Sequence, residues 1–175
     1  MVTLTQDYAK TIPLSQLSVE IDTQLRNKVD ELIKQRSALY EERVMAYEEY
    51  RAADPGHDRS ENAPLDAAIA HIKEVNGAMI ANESTLRNLS SVEDLTNYNT
   101  IGLVVPYSTV RLRRDDGEEM CYRIYPPGVS YPEILVIAED SRLAIALMGK
   151  EVGDVIGVSH TTKHKVLNYE ILEIH

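Results

Sequence analysis

Apolar side chains recur every seven residues along two long stretches of this chain, a spacing that predicts two packed helices. Leu25, Leu32, Leu39, Ala46 and Ala53 form the first seam. Leu65, Ile72, Met79 and Leu86 form the second, with Ala68, Val75, Asn82 and Leu89 at its alternate positions. The helical pattern starts at Leu17, after a weakly patterned lead-in over residues 1–13 that ends at Thr11-Ile12-Pro13 and carries no assignable role. Between the seams, Pro55 lacks a donor and Gly56 favours open backbone, so one helix stops there. Asn62 suits a helix cap, Pro64 a first turn and Asp66 the positive end of a helix dipole, so a second helix restarts. Matched seams joined by a short loop predict an antiparallel coiled-coil hairpin. Its second helix, about 25 residues, would run roughly 40 Å at ~1.5 Å per residue. Ala46 and Ala53, opposite Leu65 and Ile72, keep the stalk slim near the loop.

From Ser90 to Thr100 the periodicity is lost and Ser, Asn and Thr accumulate, which marks a linker. Beyond it the rhythm becomes that of strands. Thr109–Arg114 and Met120–Tyr125 flank Asp115-Asp116-Gly117-Glu118, a hairpin signal. Leu135–Ala138 reads as a short apolar strand. Asp140-Ser141 can cap a brief helix over Arg142–Met148, closed by Gly149. Val155–Val158 and Val166–Ile174 read as closing strands around a turn at Thr161–Lys163. The fold class is therefore α+β. The predicted domains are a hairpin domain over residues 1–92, with its tip near 54–65, and a small β domain with a short helix over residues 98–175.

Composition narrows the partners. The 175 residues suit one large or two small domains. No run approaches the ~18 consecutive apolar residues of a membrane span, and Met1–Lys10 shows no basic-then-apolar leader. A lone cysteine, Cys121, excludes an internal disulfide and fits a reducing cytoplasm. The formal charge is −10, with ten basic and seventeen acidic residues up to Leu95 and eight against eleven beyond it. A chain this acidic should not grip nucleic acid by itself, because phosphate binding depends on displacing counterions with Lys and Arg. A protein with a positive surface, or a bound metal, is the natural partner.

The candidate chemistry centres on the loop. Asp58-x-x-Glu61 can be a capping box with both carboxylates used locally, or a pair able to hold a metal. It lacks the alternating acids and central Gly of an EF-hand. Tyr40, Tyr47 and Tyr50 could stack on bases, but helix packing is the simpler reading. Glu41-Glu42 and Glu48-Glu49 read as a solvated face. Arg43, Arg51, Arg59 and Lys73 lie toward the tip and could guide it along a negative wall or RNA. His160 and His164 have a zinc-compatible spacing but fall in a strand-connecting turn with no Cys nearby. A Gly-rich phosphate loop, a nucleophile elbow and a Cys-x-x-Cys pair are all missing from the sequence.

Asp58-Arg59-Ser60-Glu61-Asn62-Ala63 resembles the acidic tip of the Gre family, the bacterial transcript cleavage factors of RNA polymerase. Leu143-Ala144-Ile145-Ala146-Leu147-Met148-Gly149-Lys150-Glu151-Val152-Gly153-Asp154 resembles the small helix and Gly-Lys-x-Val-Gly-Asp segment of that family's C-terminal domain, and Tyr169-Glu170-Ile171-Leu172 its last strand. From the tip to the last strand the resemblance spans about two thirds of the chain, in the family's order. Two departures stand out: His57 is inserted after Gly56, and Leu65 replaces the usual Tyr.

The resemblance implies an FK506-binding-protein-like C-terminal domain that docks on bacterial RNA polymerase. It also implies a hairpin that enters the polymerase's secondary channel when RNA has backtracked. Asp58 and Glu61 then help hold a second Mg2+ jointly with the polymerase and act at the 3' end of the RNA. Arg59, Asn62, Gly149, Lys150, Gly153 and Asp154 fall on partner-binding positions. Magnesium takes one or two protein carboxylates and leaves the rest of its shell to water and substrate. Two acids therefore complete a site but do not make one, and the free chain is expected to be a monomer without bound metal that is not itself an enzyme. Two alternatives stay open. One is a Gre-like inhibitor that blocks the same channel, for which a tip with a single Asp-Glu pair is poor in Asp. The other is a prolyl isomerase, for which a domain without Phe or Trp lacks an aromatic pocket.

Overall fold

The computed structural model describes residues 4–53, 63–90, 102–160 and 165–175. The fold is α+β: α1 (Gln6–Ala9), α2 (Leu14–Ala53) and α3 (Ala63–Ser90) precede β1 (Thr109–Arg114), β2 (Glu119–Tyr125), β3 (Val136–Ala138), α4 (Arg142–Leu147), β4 (Val155–His160) and β5 (Lys165–Ile174). The strands form one sheet in the order β3-β2-β1-β5-β4. β3 runs parallel to β2, and every other pairing is antiparallel. Two compact units emerge, residues 28–87 and residues 1–27 with 88–175.

The first of these is the hairpin. Leu39, Ala46, Leu65, Ala68, Val75 and Met79 are buried along the predicted seams, and Leu39, Val75 and Met79 pack together as its core. Asn82 is buried at a seam position, where its Nδ2 donates to the Leu32 carbonyl (3.1 Å) and to Gln35 (3.3 Å). A polar seam residue with specific partners fixes register at some cost in stability. Residues 32 and 35 meet 82 while 42 and 49 meet 71, so the helices run antiparallel. One expectation fails here. Tyr40 and Tyr47 are 42% and 44% exposed, because they lie about a third of a turn from the seam, and Tyr40 reaches α3 only through its hydroxyl, which donates to Glu83 at 3.4 Å.

In the other unit the β1–β2 hairpin appears at the predicted turn. Gly117 takes a left-handed φ of +87°, and Arg114 pairs with both Asp116 and Glu118. Strand alternation then assigns two faces. Val110, Leu112, Met120 and Ile124 point into a core completed by Val104, Ala144 and Leu147 near or on α4, Ile156 on β4, and Tyr169 and Ile171 on β5. Ser141 caps α4 by accepting from the Ala144 amide, as the sequence predicts. The strand expected from Leu135 starts one residue later, because Leu135 closes a 3-10 turn over Pro132–Ile134 in left-handed conformation.

The opposite face, Thr109, Arg111, Cys121 and Arg123, receives the start of the chain instead of solvent. Gln6 bonds Cys121 twice, donating to its carbonyl (3.1 Å) and accepting from its amide (2.6 Å). β3 pairs only with Arg123–Tyr125, so the Gln6 amide stands in for the strand that does not reach Cys121. Arg111 donates to the carbonyls of Ile12 (2.8 Å) and Ala9 (3.4 Å), the open end of α1. Ser18 and Thr109 share a buried hydrogen bond of 2.7 Å, and Asp22 accepts from Arg123 (3.0 Å) and from the Tyr125 hydroxyl. Burial first, and then the Asp22 carboxylate, push the Tyr125 phenol well above its ordinary pKa. The compact units thus divide the chain differently from the sequence. Residues 4–27 belong with the sheet, where Leu4, Ala9, Leu14, Leu17 and Ile21 are buried beside these polar contacts.

Candidate functional site

The acidic segment, residues 54–62, connects two described helices. α2 runs to Ala53 with Arg51 in its last turn, and α3 starts at Ala63 with Asp66 in its first turn. Each charge complements the helix end it occupies. Asp58, Arg59, Glu61 and Asn62 lie outside the described residues, as does the capping-box reading of the first and third. Leu65, the departure from the resembled tip, is buried in the seam at 7% exposure, so an apolar side chain at this position serves helix packing.

Two turns into α3, His71 joins the helices. Its Nδ1 lies 3.0 Å from Glu49 and its Nε2 3.4 Å from Glu42. Hydrogen bonds to Glu49 and then Glu42 raise its pKa above the ordinary 6.5. The sequence treated Glu42 and Glu49 as part of a solvated face. Glu41, Glu42, Glu48 and Glu49 all stay on the solvated face, but Glu42 and Glu49, at 46% and 58% side-chain exposure, also reach His71 on α3.

The second candidate segment follows α4. Gly149 (φ +73°) ends that helix in left-handed conformation, and its amide donates to the Val104 carbonyl at 2.8 Å. The Val104 amide returns a 2.8 Å bond to Lys150. Gly153 (φ +92°) turns the chain back into β4, donating to Ile171, while the Ile171 amide donates to Asp154 (2.8 and 2.9 Å). The Asp154 carboxylate accepts from the Glu151 amide at 2.9 Å. These bonds explain both glycines and Asp154 as makers of a double turn, and the exposed Lys150 side chain is left to face outward.

Periodicity did not reveal the apolar surface around this turn. Ile145 on α4, Val152 in the turn, and Val155 opening β4 are 63%, 56% and 66% exposed. α4 packs against β4, so the three sit on adjoining elements. Their signal was present as bulky apolar residues at turn and strand-start positions. Among the described residues, no group of three or more His, Cys, Asp or Glu could hold a metal ion, and no helix is long and apolar enough to cross a membrane. The turn expected at Thr161–Lys163 and the His160–His164 pairing lie outside what is described.

Residues 99–175 match the family model "Transcription elongation factor, GreA/GreB, C-term". The chain is 30% identical over 148 residues to transcription elongation factor GreA of Bacillus cytotoxicus, covering 84% of this chain and 87% of that protein. It is 37% identical over 119 residues to the GreA of Shouchella clausii, covering 67% and 72%. Among solved structures it is similar to the GreA factor homolog 1 protein of Thermus thermophilus (TM-score 0.37, 18% identity, 84% of this chain and 94% of that one). It is also similar to a GreA/GreB factor of Nitrosomonas europaea (TM-score 0.37, 24% identity, 53% and 78%).

Proposed function

The chain belongs to the GreA/GreB family of transcription elongation factors, and from that premise we propose that it stimulates RNA cleavage by a backtracked bacterial RNA polymerase. One observation carries the reading. The nine residues from 54 to 62 join the facing ends of two antiparallel helices, and they contain Asp58, Glu61 and Asn62. A two-helix stalk only one seam wide is a form that a narrow channel admits.

Two carboxylates are hard oxygen donors of the kind Mg2+ prefers, and they are too few to hold it alone. They fit a site whose other ligands come from the polymerase and the RNA. A second Mg2+ bound there supplies Lewis acidity and an activated water for phosphodiester hydrolysis. Asp58 and Glu61 contribute charge and orientation, and Arg59 and Asn62 hold the tip against the polymerase. The Gly149–Asp154 double turn, with Lys150 and the exposed Ile145, Val152 and Val155 around it, offers the docking surface. Large exposed apolar groups rimmed by polar residues mark such contacts.

The test is RNA cleavage in a stalled, backtracked complex of the cognate polymerase. Faster cleavage with the chain present, and none by the chain alone, is expected. Nuclease activity without polymerase overturns the reading. Inhibition without stimulation at any Mg2+ concentration favours a channel-blocking relative instead.

A further inference from the structure

A second apolar stripe runs along α2, away from the seam. Ile33, Tyr40 and Tyr47 recur every seven residues, and Ser37, Val44 and Arg51 follow each of them by four. Those are the two core positions of a heptad repeat. The bulky members are open to solvent, with Ile33 41%, Tyr40 42%, Val44 59% and Tyr47 44% exposed. α3 touches the stripe at Tyr40, whose hydroxyl donates to Glu83 at 3.4 Å, but leaves these side chains open, and the buried seam through Leu39 and Ala46 lies about a third of a turn away.

The charges beside the stripe are ordered by sign. Arg36 and Arg43 precede Ser37 and Val44 on one flank, while Glu41 and Glu48 follow Tyr40 and Tyr47 on the other. Glu42 and Glu49 engage His71, but among the described residues Arg36, Glu41 and Glu48 have no ion pair or hydrogen bond. Arg43 lies over its own Tyr40 ring, 5.1 Å from the centroid. The arginines are five residues before the glutamates, the separation at which flanking charges meet across a parallel two-stranded coiled coil. Arg36 then faces Glu41 of a second copy and Arg43 faces Glu48, twice over by symmetry. An antiparallel partner would oppose Arg to Arg and Glu to Glu. Nucleic acid is a poor occupant of a hairpin that carries a net negative charge.

We propose that this face of α2 pairs with the same face of a second copy of the chain, in parallel and in register, from Ile33 to Tyr47. The seam spans about two heptads, and a second Arg51 opposite the first ends it, so association is weak and reversible. Pairing covers the outer face of α2 over Ile33–Tyr47. If the hairpin enters the polymerase as proposed above, pairing and entry exclude each other, and the dimer is a stored form. The pairing itself does not depend on that reading.

Sedimentation equilibrium of the full chain tests it. The weight-average mass should rise with concentration from 19.7 kDa toward twice that value. Arg36→Glu with Arg43→Glu, or Glu41→Arg with Glu48→Arg, should each weaken self-association at least about tenfold. An equimolar mixture of the two double variants should restore it, because every flanking pair is then opposite in sign. That recovery also shows that both variants fold. A Tyr40→Cys chain should oxidise to a dimer linked through residue 40, the in-register result, while the parent, whose only cysteine is buried, should not. A mass fixed at 19.7 kDa over the whole range overturns the proposal, as does failure of the mixture to recover. A monomer whose Tyr47→Glu variant loses polymerase binding assigns the face to the polymerase and overturns it equally.

Discussion

The β unit and the hairpin spend their side chains differently. In the β unit both faces of the sheet are occupied: one by Leu112, Ile124, Leu147 and Ile171, the other by Gln6, Ser18 and Asp22 reaching in from the start of the chain. In the hairpin a single seam is buried, with Leu39, Val75 and Met79 at its centre, and most other positions face water. Internal packing therefore dictates residue identity across the sheet. Along the hairpin it dictates one position in three or four and leaves the rest to answer to a partner.

Equal truncations should separate the two. Ile124→Ala removes a fully buried side chain from a closed core and should cost toward the upper end of the ~2–5 kcal/mol range for such changes. Met79→Ala sits between two helices that can settle together, so its cost should fall near ~2 kcal/mol. Denaturant unfolding followed by circular dichroism measures both, and equal losses would erase the distinction.

A smaller effect should come from the sheet's polar face. Asp22→Ala leaves Arg123 and the Tyr125 hydroxyl without their shared acceptor, at a cost of about 1–3 kcal/mol. Asp22→Leu combined with Arg123→Met should recover part of that loss, since an apolar pair needs no partner. If the double variant is no better than Asp22→Ala, the network contributes more than pairing.

The smallest effect belongs to His71. Its folded pKa is raised by Glu49 and Glu42, so protonation stabilises the hairpin. That contribution is complete below the unfolded value of about 6.5 and disappears as pH rises through the higher folded value. His71→Gln should remove the slope of hairpin stability across this window and leave the β unit's pH dependence unchanged. Thermal melts of parent and variant at several pH values read it.

Most elements were legible in the sequence because their signals are local. The heptads of Leu25, Leu39 and Met79, the Asp115–Glu118 turn and the Ser141 cap each rest on residues close in the chain. The lead-in was not legible. Nothing in Thr5-Gln6-Asp7-Tyr8-Ala9 announces that Gln6 will complete the edge of β2 at Cys121, a contact 115 residues away. The exposure of Tyr40 and Tyr47 was missed for a related reason: a heptad in one helix says which residues share a face, but not which face the neighbour covers. For the candidate site, the sequence marked Gly149, Gly153 and Asp154 through resemblance, and the double turn supplies their physical reason. Ile145, Val152 and Val155 escaped because single exposed apolar residues have no period.

The acidic pair is the centre of the proposed mechanism. Asp58→Asn and Glu61→Gln each remove a charge and keep shape, and losing one charged ligand contact should cost on the order of 1.5–3 kcal/mol, roughly ten- to a hundredfold in metal affinity. The measurement is the rate of RNA cleavage by backtracked polymerase against Mg2+ concentration, with binding to polymerase and thermal melts of each variant alongside. Stimulated cleavage should fall at low Mg2+ and recover partly as Mg2+ is raised, while docking and melting stay at parental values. A lowered melting temperature with no rescue by Mg2+ would make the pair a capping box. Variants that dock normally and whose Mg2+ curves overlay the parent's would contradict the claim that these carboxylates hold the metal.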